Sequence, residues 1–206
     1  KIIKSRIVIF IIAIGLSYLL PVVYQDLFGF LLILSIGVIH GANDLLIIKK
    51  YTRKDSRKSQ ISYFLYYLTI VFLGFVFFYL FPSIALLSFI LISVYHFGEQ
   101  HWEANQIKVK KLYPIIFHGL IFFCIIFINN INIVNNVLDS FNVIPLNPFF
   151  LKTLLIILIS LYILLLTLKK YRIYILGEIL FFILLYILTL NSSLIYGFSI
   201  YFIFFH

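Results

Sequence analysis

The chain has little charge and almost no cysteine. Of its 206 residues, 11% are charged and 64% are hydrophobic. Because soluble domains are roughly a quarter charged, we predict an integral membrane protein. The single cysteine, Cys124, lies in an apolar run, which excludes a disulfide framework and metal sites built from thiolates. The sequence also lacks methionine, a glycine-rich phosphate-binding motif, an internal repeat and any stretch that resembles a soluble domain.

What remains is a series of apolar segments long enough to span a bilayer. They lie at about residues 6–24, 27–48, 61–81, 83–101, 113–131, 149–168, 173–190 and from 194 onward. These segments predict an all-α, polytopic helical membrane protein with about eight transmembrane helices in one domain, residues 1–206. The sequence starts at Lys1 and stops within an apolar run, so we expect it to be truncated at both ends, with an incomplete eighth helix.

Positive charge alternates along the links between these segments. The chain has 16 Lys and Arg residues against 7 Asp and Glu residues, a net charge of +9. The N-terminal residues and the second, fourth and sixth links hold all the basic residues except Lys152. By the positive-inside rule these regions are cytoplasmic, which predicts a multi-pass protein of the inner (cytoplasmic) membrane with its N-terminus inside. The positive charge therefore reflects the orientation of the helices in the membrane, and no nucleic-acid partner is expected.

Three histidines lie at similar positions in three separate segments. With segment starts near residues 27, 83 and 193, His40, His96 and His206 each follow the start of their segment by thirteen residues. The three segments run in the same direction, so the histidines would share a layer about 20 Å below the outer boundary. Ionisable groups within a membrane usually line a cavity, pair with another group or bind a ligand. We therefore predict one buried site that holds a transition metal.

Two carboxylates accompany these histidines. Asp44 follows His40 by four residues and Glu99 follows His96 by three, so each lies about one helical turn from its histidine. A carboxylate at this position can accept the second N–H of a ligating imidazole, and this is the role that we predict for both. Direct metal ligation and extension towards the cytoplasmic interface are the alternatives. Glycines flank His40 and are predicted to let a neighbouring helix approach closely.

The other polar residues of the apolar segments have simpler interpretations. His118 is interpreted as a structural hydrogen-bond partner between helices. Glu178 is interpreted as a carboxylate that pairs helices or extends towards the interface. His101 and Trp102 are assigned to an interfacial belt.

Three motifs resemble the Brp/Blh family of membrane β-carotene 15,15′-dioxygenases. They are HGANDL at 40–45, SVYHFGEQHW at 93–102 and GFSIYFIFFH at 197–206. This resemblance extends over nearly the whole chain and implies a non-haem Fe(II) site with four histidine ligands. His40, His96 and His206 match three of them, and the fourth would follow one turn after His206, beyond this sequence. Such a fragment is expected to be inactive alone. The residues that follow Glu99 depart from the family, in which an acidic residue is more usual.

The resemblance also implies a reaction, in which O₂ adds across the central double bond of β-carotene and two molecules of retinal form. An all-histidine site suits Fe(II), Cu(II) or Zn(II), and its burial in lipid favours O₂ chemistry on a hydrophobic substrate. Some of the 24 Phe and 15 Tyr side chains would line a tunnel that opens to the bilayer. A retinal-binding opsin would be the functional partner.

Two other classes of protein remain open. A transporter or channel would use the histidines, Asp44 and Glu99 to move protons or metal ions. It would have polar groups along the membrane normal, whereas the predicted histidines lie in one layer. A haem-binding membrane protein is the other alternative, because two histidines on neighbouring helices can ligate haem.

Overall fold

The computed structural model describes residues 2–35, 57–104, 112–167 and 171–204, and every regular element in these ranges is helical. The helices are α1 (Ile2–Leu19), α2 (Val22–Ser35), α3 (Arg57–Leu80), α4 (Pro82–Ala104), α5 (Leu112–Asn129), α6 (Ile131–Ser140), α7 (Pro148–Leu166), α8 (Ile175–Leu190) and α9 (Leu194–Phe204). A 3-10 turn, Arg172–Tyr174, precedes α8. In the described ranges, α3, α4, α5, α7 and α8 are long and apolar enough to cross a membrane. The predicted polytopic all-α membrane fold is confirmed.

Helix α5 lies at the centre of the bundle, where it contacts α4, α7, α8 and α9. It is apolar on nearly every side, as is typical of a helix surrounded by protein, and more than half of its residues are buried. Helix α3, by contrast, exposes apolar side chains along residues 61–80. Lipid tails solvate such side chains as well as a protein interior does, so this exposure is suited to a bilayer.

The turn between α1 and α2 lies earlier than the sequence predicts. α1 ends at Leu19 and α2 begins at Val22, because Pro21 cannot continue the first helix but suits the first turn of the next. The predicted link at 25–26 is therefore wrong. The observed start of α2 lies five residues before the predicted start at residue 27. His40 itself lies outside the described residues, so the equal depth of the three histidines stays a prediction.

Gln25 instead joins the α1–α2 turn to the α8–α9 turn. Its Nε2 donates to the carbonyl oxygens of Ser17 (2.9 Å) and Leu20 (2.8 Å) near the end of α1. Its Oε1 accepts from the backbone N–H of Ser193 at 2.8 Å, and the Ser193 hydroxyl accepts in turn from the N–H of Tyr196. One buried amide therefore satisfies backbone groups that two helix ends leave without intrahelical partners.

We expect Gln25→Ala to destabilise the protein by about 1–3 kcal/mol, because it leaves buried backbone groups without a partner. Thermal unfolding in detergent would measure the loss. Ser160→Ala is the control, since the Ser160 hydroxyl only bonds to a carbonyl of its own helix on an exposed face. Equal melting temperatures for the two variants would contradict this role for Gln25.

The asparagine-rich link predicted at 129–148 contains a further helix, α6, which buries Val134 and Leu138. Asn135 of α6 holds the loop between α6 and α7, since its side chain donates to the carbonyl of Leu146 and accepts from the N–H of Leu146. Asn147 caps α7 by accepting from the N–H groups of its first turn, a position that asparagine favours. The asparagines of this link thus organise the connection between α5 and α7.

Candidate functional site

Helix α4 has two sides with different environments. One side is buried and carries the residues Val94, Phe97, Gly98, His101 and Trp102. His96 leaves the helix about 140° away from His101, at roughly 100° of rotation per residue, and lies with Tyr95 on the exposed side of the described structure. Of the predicted site residues, His40, Asp44 and His206 lie outside the described residues. The structure therefore places His96 and Glu99 only.

Helices α2, α9 and α4 belong to the segments predicted to carry the three ligands, and they are neighbours within the described residues. α2 meets α9 at Gly29, where an added Cβ would come within 3.0 Å of the backbone of Ile195. α9 meets α4 at Phe97, whose carbonyl oxygen accepts a hydrogen bond from the Tyr201 hydroxyl at 3.3 Å. The Phe97 ring also contacts the ring of Phe202, with 6.3 Å between centroids. α9 therefore contacts α2 near its own start, and it contacts α4 at Phe97, the residue that follows His96.

Two glycines bring α4 and α5 into backbone contact. A Cβ on Gly98 would lie 2.0 Å from the carbonyl oxygen of Ile115, and one on Gly119 would lie 1.9 Å from that of Val94. Both distances are far shorter than any van der Waals contact, so only glycine permits this packing. Small residues serve this purpose in membrane helices, where close packing rather than water exclusion holds helices together.

Glu99 contacts a tyrosine of its own helix. The Tyr95 hydroxyl donates to Glu99 Oε1 at 2.6 Å. The carboxylate lies one turn from His96, as the sequence predicts, and the tyrosine fixes one of its oxygens. Whether a carboxylate here supports a ligating imidazole is not tested by this contact, and the role of Glu99 stays a prediction.

A second group of polar side chains lies inside the bundle. Glu178 of α8 meets His101 Nε2 of α4 at 2.6 Å and His118 Nδ1 of α5 at 2.9 Å, through different carboxylate oxygens. The Tyr162 hydroxyl of α7 donates to the second oxygen at 2.9 Å. All four side chains are buried. With an ionised carboxylate, which only accepts, each imidazole would present an N–H to Glu178. We call these four residues the His–Glu cluster.

Two of the sequence interpretations are wrong here. His101 and Trp102 do not form a surface belt, since they are buried among helices, at 3% and 1% exposure. Trp102 Nε1 donates to the carbonyl of Pro114 at 3.2 Å. The interpretations of His118 as a structural partner and of Glu178 as a helix-pairing carboxylate are confirmed, but Glu178 does not extend to the interface. The predicted topology already indicates that these residues can meet. His101 lies at the cytoplasmic end of its segment, and His118 and Glu178 lie near the cytoplasmic ends of theirs.

Three members of the His–Glu cluster, His101, His118 and Glu178, are residue types that bind metal ions. Their possible ligand atoms lie within 4.8 Å of one another. The imidazole rings, however, are stacked, with centroids 3.7 Å apart and planes inclined by 20°. Two imidazoles that share one metal radiate from it, which places their centres about 5 Å apart. The stacked rings each point to their own oxygen of Glu178. This geometry fits hydrogen bonding to a carboxylate better than a shared metal ion.

Comparison with known proteins identifies the family. The family model described as beta-carotene 15,15'-dioxygenase matches residues 31–206. The chain belongs to this family. No curated protein and no solved structure gives a significant match. The match to the beta-carotene 15,15'-dioxygenase family includes the positions of His40, His96 and His206, and it supports a dioxygenase-like function and a metal cofactor.

Proposed function

We propose that this protein is a membrane-bound non-haem iron dioxygenase that cleaves β-carotene, or a related carotenoid, at the central double bond. One O₂ is consumed, the carbon–carbon double bond breaks, and each new end receives one oxygen atom as the aldehyde of retinal. The observation that supports this most is that α9 contacts both α2, at Gly29, and α4, at Phe97. These helices belong to the segments predicted to carry His40, His206 and His96.

The donor set fits Fe(II). His40, His96 and His206, with a fourth histidine one turn beyond the last, would supply neutral imidazole nitrogens, which suit iron and leave open positions. Bound Fe(II) would supply the activation of O₂. Glu99, with one oxygen fixed by Tyr95, and Asp44 would orient the ligating imidazoles by accepting their second N–H.

The residues around His96 suit an apolar substrate. The ring of Phe97 contacts Phe198, Tyr201 and Phe202 of α9, and the adjacent side of α4 exposes Leu91 and Ile92. Such surfaces would exclude water from the reacting bond and hold a polyene that enters from the bilayer. The inner membrane is the proposed location, and a retinal-binding opsin would use the product.

The transporter alternative has less support. A proton or ion path needs polar groups along the membrane normal. The His–Glu cluster lies at one end of α5 and Asn129 at the other, and the eight residues from Leu120 to Phe127 between them are apolar apart from Cys124. This helix therefore contributes no ladder of polar groups along its described length.

The protein expressed from its whole gene in β-carotene-producing bacterial cells is expected to bleach them and to accumulate retinal. Chromatography of the extracted pigments measures both changes, and elemental analysis of the purified protein measures its iron. Retained colour with well-expressed, iron-loaded protein would rule out the proposal. An absorption spectrum of the same sample tests haem binding, which would give a Soret band.

A further inference from the structure

The His–Glu cluster ties α4 to α8 close to the proposed ligand on α4. His101 follows His96 by five residues, about 7.5 Å along the helix at 1.5 Å per residue. Its imidazole is held on one face by the stacked ring of His118 and at Nε2 by the carboxylate of Glu178. Because a hydrogen bond of 2.6 Å is directional, this contact fixes both the height and the rotation of that part of α4.

Two other contacts on the buried side of α4 serve a different purpose. Gly98 packs against the backbone of Ile115, and Trp102 donates to the carbonyl of Pro114. Both partners belong to α5, so these contacts hold α4 against one neighbour. Of the three contacts, the one between His101 and Glu178 reaches α8. It therefore fixes α4 relative to α8 and, together with the hydrogen bond from the Tyr201 hydroxyl of α9 to the Phe97 carbonyl, opposes rolling of α4 on the surface of α5.

A small roll of α4 would move the opposite side of the helix considerably. A ring nitrogen about 6 Å from the helix axis moves about 1 Å when the helix turns by roughly 10°. Metal–ligand distances vary by only about 0.2 Å in a working site. The imidazole of His96 thus needs the rotation of α4 to be held within a few degrees.

We propose that Glu178 and His101 are positioning residues, which set the rotation of α4 and so direct His96 to the metal. This inference rests on the proposed function, since it assigns His96 as a ligand. Glu178 acts through geometry: a carboxylate whose two oxygens each face one imidazole aligns α4, α5 and α8 at once, and Tyr162 brings α7 into the same arrangement. The charge of Glu178 is not itself required.

Three variants of the whole-gene protein test the proposal. Glu178→Ala removes the acceptor, and we expect iron affinity to fall by about 10-fold, the size of effect seen for groups that orient metal ligands. Glu178→Gln should restore most of it, because an amide accepts from one imidazole and donates to the other. Asn129→Ala is the matched control, since Asn129 bonds Thr189 between α5 and α8 at the far end of these helices, without touching α4.

The readouts are iron titration of the apoprotein, the Mössbauer spectrum of the ⁵⁷Fe-loaded protein and the melting temperature. Glu178→Ala should change the iron affinity and the Mössbauer spectrum, whereas Asn129→Ala should lower only the melting temperature. If Glu178→Ala yields too little protein, His101→Phe keeps the stacked ring, loses the bond to Glu178 and should weaken iron binding similarly.

Two results would overturn the inference while the proposed function stands. One is wild-type iron affinity and spectrum in Glu178→Ala. The other is a Glu178→Gln variant as defective as Glu178→Ala, which would show that charge rather than geometry matters. A wild-type protein that neither binds iron nor cleaves β-carotene would instead reject the proposed function, and with it the assignment of His96.

Discussion

Gly119→Ala is expected to prevent α4 and α5 from packing and to leave little folded protein in the membrane. The added methyl group would lie 1.9 Å from the carbonyl oxygen and 2.7 Å from the carbonyl carbon of Val94. These are backbone atoms, so no side-chain rotation relieves the clash and the helices must separate. We expect a cost above the roughly 1–3 kcal/mol of ordinary overpacking. The fraction that elutes as a single species after detergent extraction, and its melting temperature, measure the effect.

Gly74→Ala is the matched control for this substitution. Gly74 is also a helical glycine, but a Cβ there meets nothing within 4 Å. Alanine is the better helix former by about 1 kcal/mol, so this variant should be as stable as the wild type or more so. Equal behaviour of the two variants would show that α4 and α5 do not meet in backbone contact at Gly119.

His96→Ala is expected to abolish carotenoid cleavage while the protein still folds. Loss of a ligand should reduce activity by more than the roughly 100-fold upper range for groups that only orient ligands. The fold should survive because His96 lies on the side of α4 away from the contact with α5. Retinal formed per amount of membrane-inserted protein, together with bound iron, measures both parts of this prediction.

Ile92→Ala provides the comparison on the same helix. Ile92 lies one turn before His96 and is 68% exposed, so its truncation removes apolar surface from the same side of α4 without removing a ligand. Iron content should stay at the wild-type level. If His96→Ala keeps both its iron and its activity, His96 is not a ligand and the metal lies elsewhere.

The sequence predicts the fold well because the bilayer imposes length and hydropathy on each helix. The predicted bounds of segments three to seven agree with the observed helices to within a few residues. The errors elsewhere have local causes. Pro21 ends α1 before the apolar run ends. The amphipathic α6 lies in a link whose asparagines suggested a loop, and Val134 and Leu138 gain burial only from the bundle.

The site is less predictable, because it depends on which faces of the helices meet. The sequence marks His96 and Glu99 as a pair, but it does not show that His101 leaves the same helix towards α8. The close helix approach predicted beside His40 lies outside the described residues, and the sequence did not predict the close contacts described at Gly98 and Gly119. A glycine's partner is a backbone atom of another helix, and no pattern within one segment identifies it.

The bond between Gln25 and Ser193 has a consequence for the order in which the protein is made. It joins residues 168 positions apart in the chain. A ribosome that adds about 5–20 residues per second needs on the order of ten to thirty seconds to produce the second partner after the first. During that interval the amide of Gln25 and the end of α1 must be solvated at the membrane surface. The turn between α1 and α2 therefore reaches its final state only after Ser193 and α9 have been made.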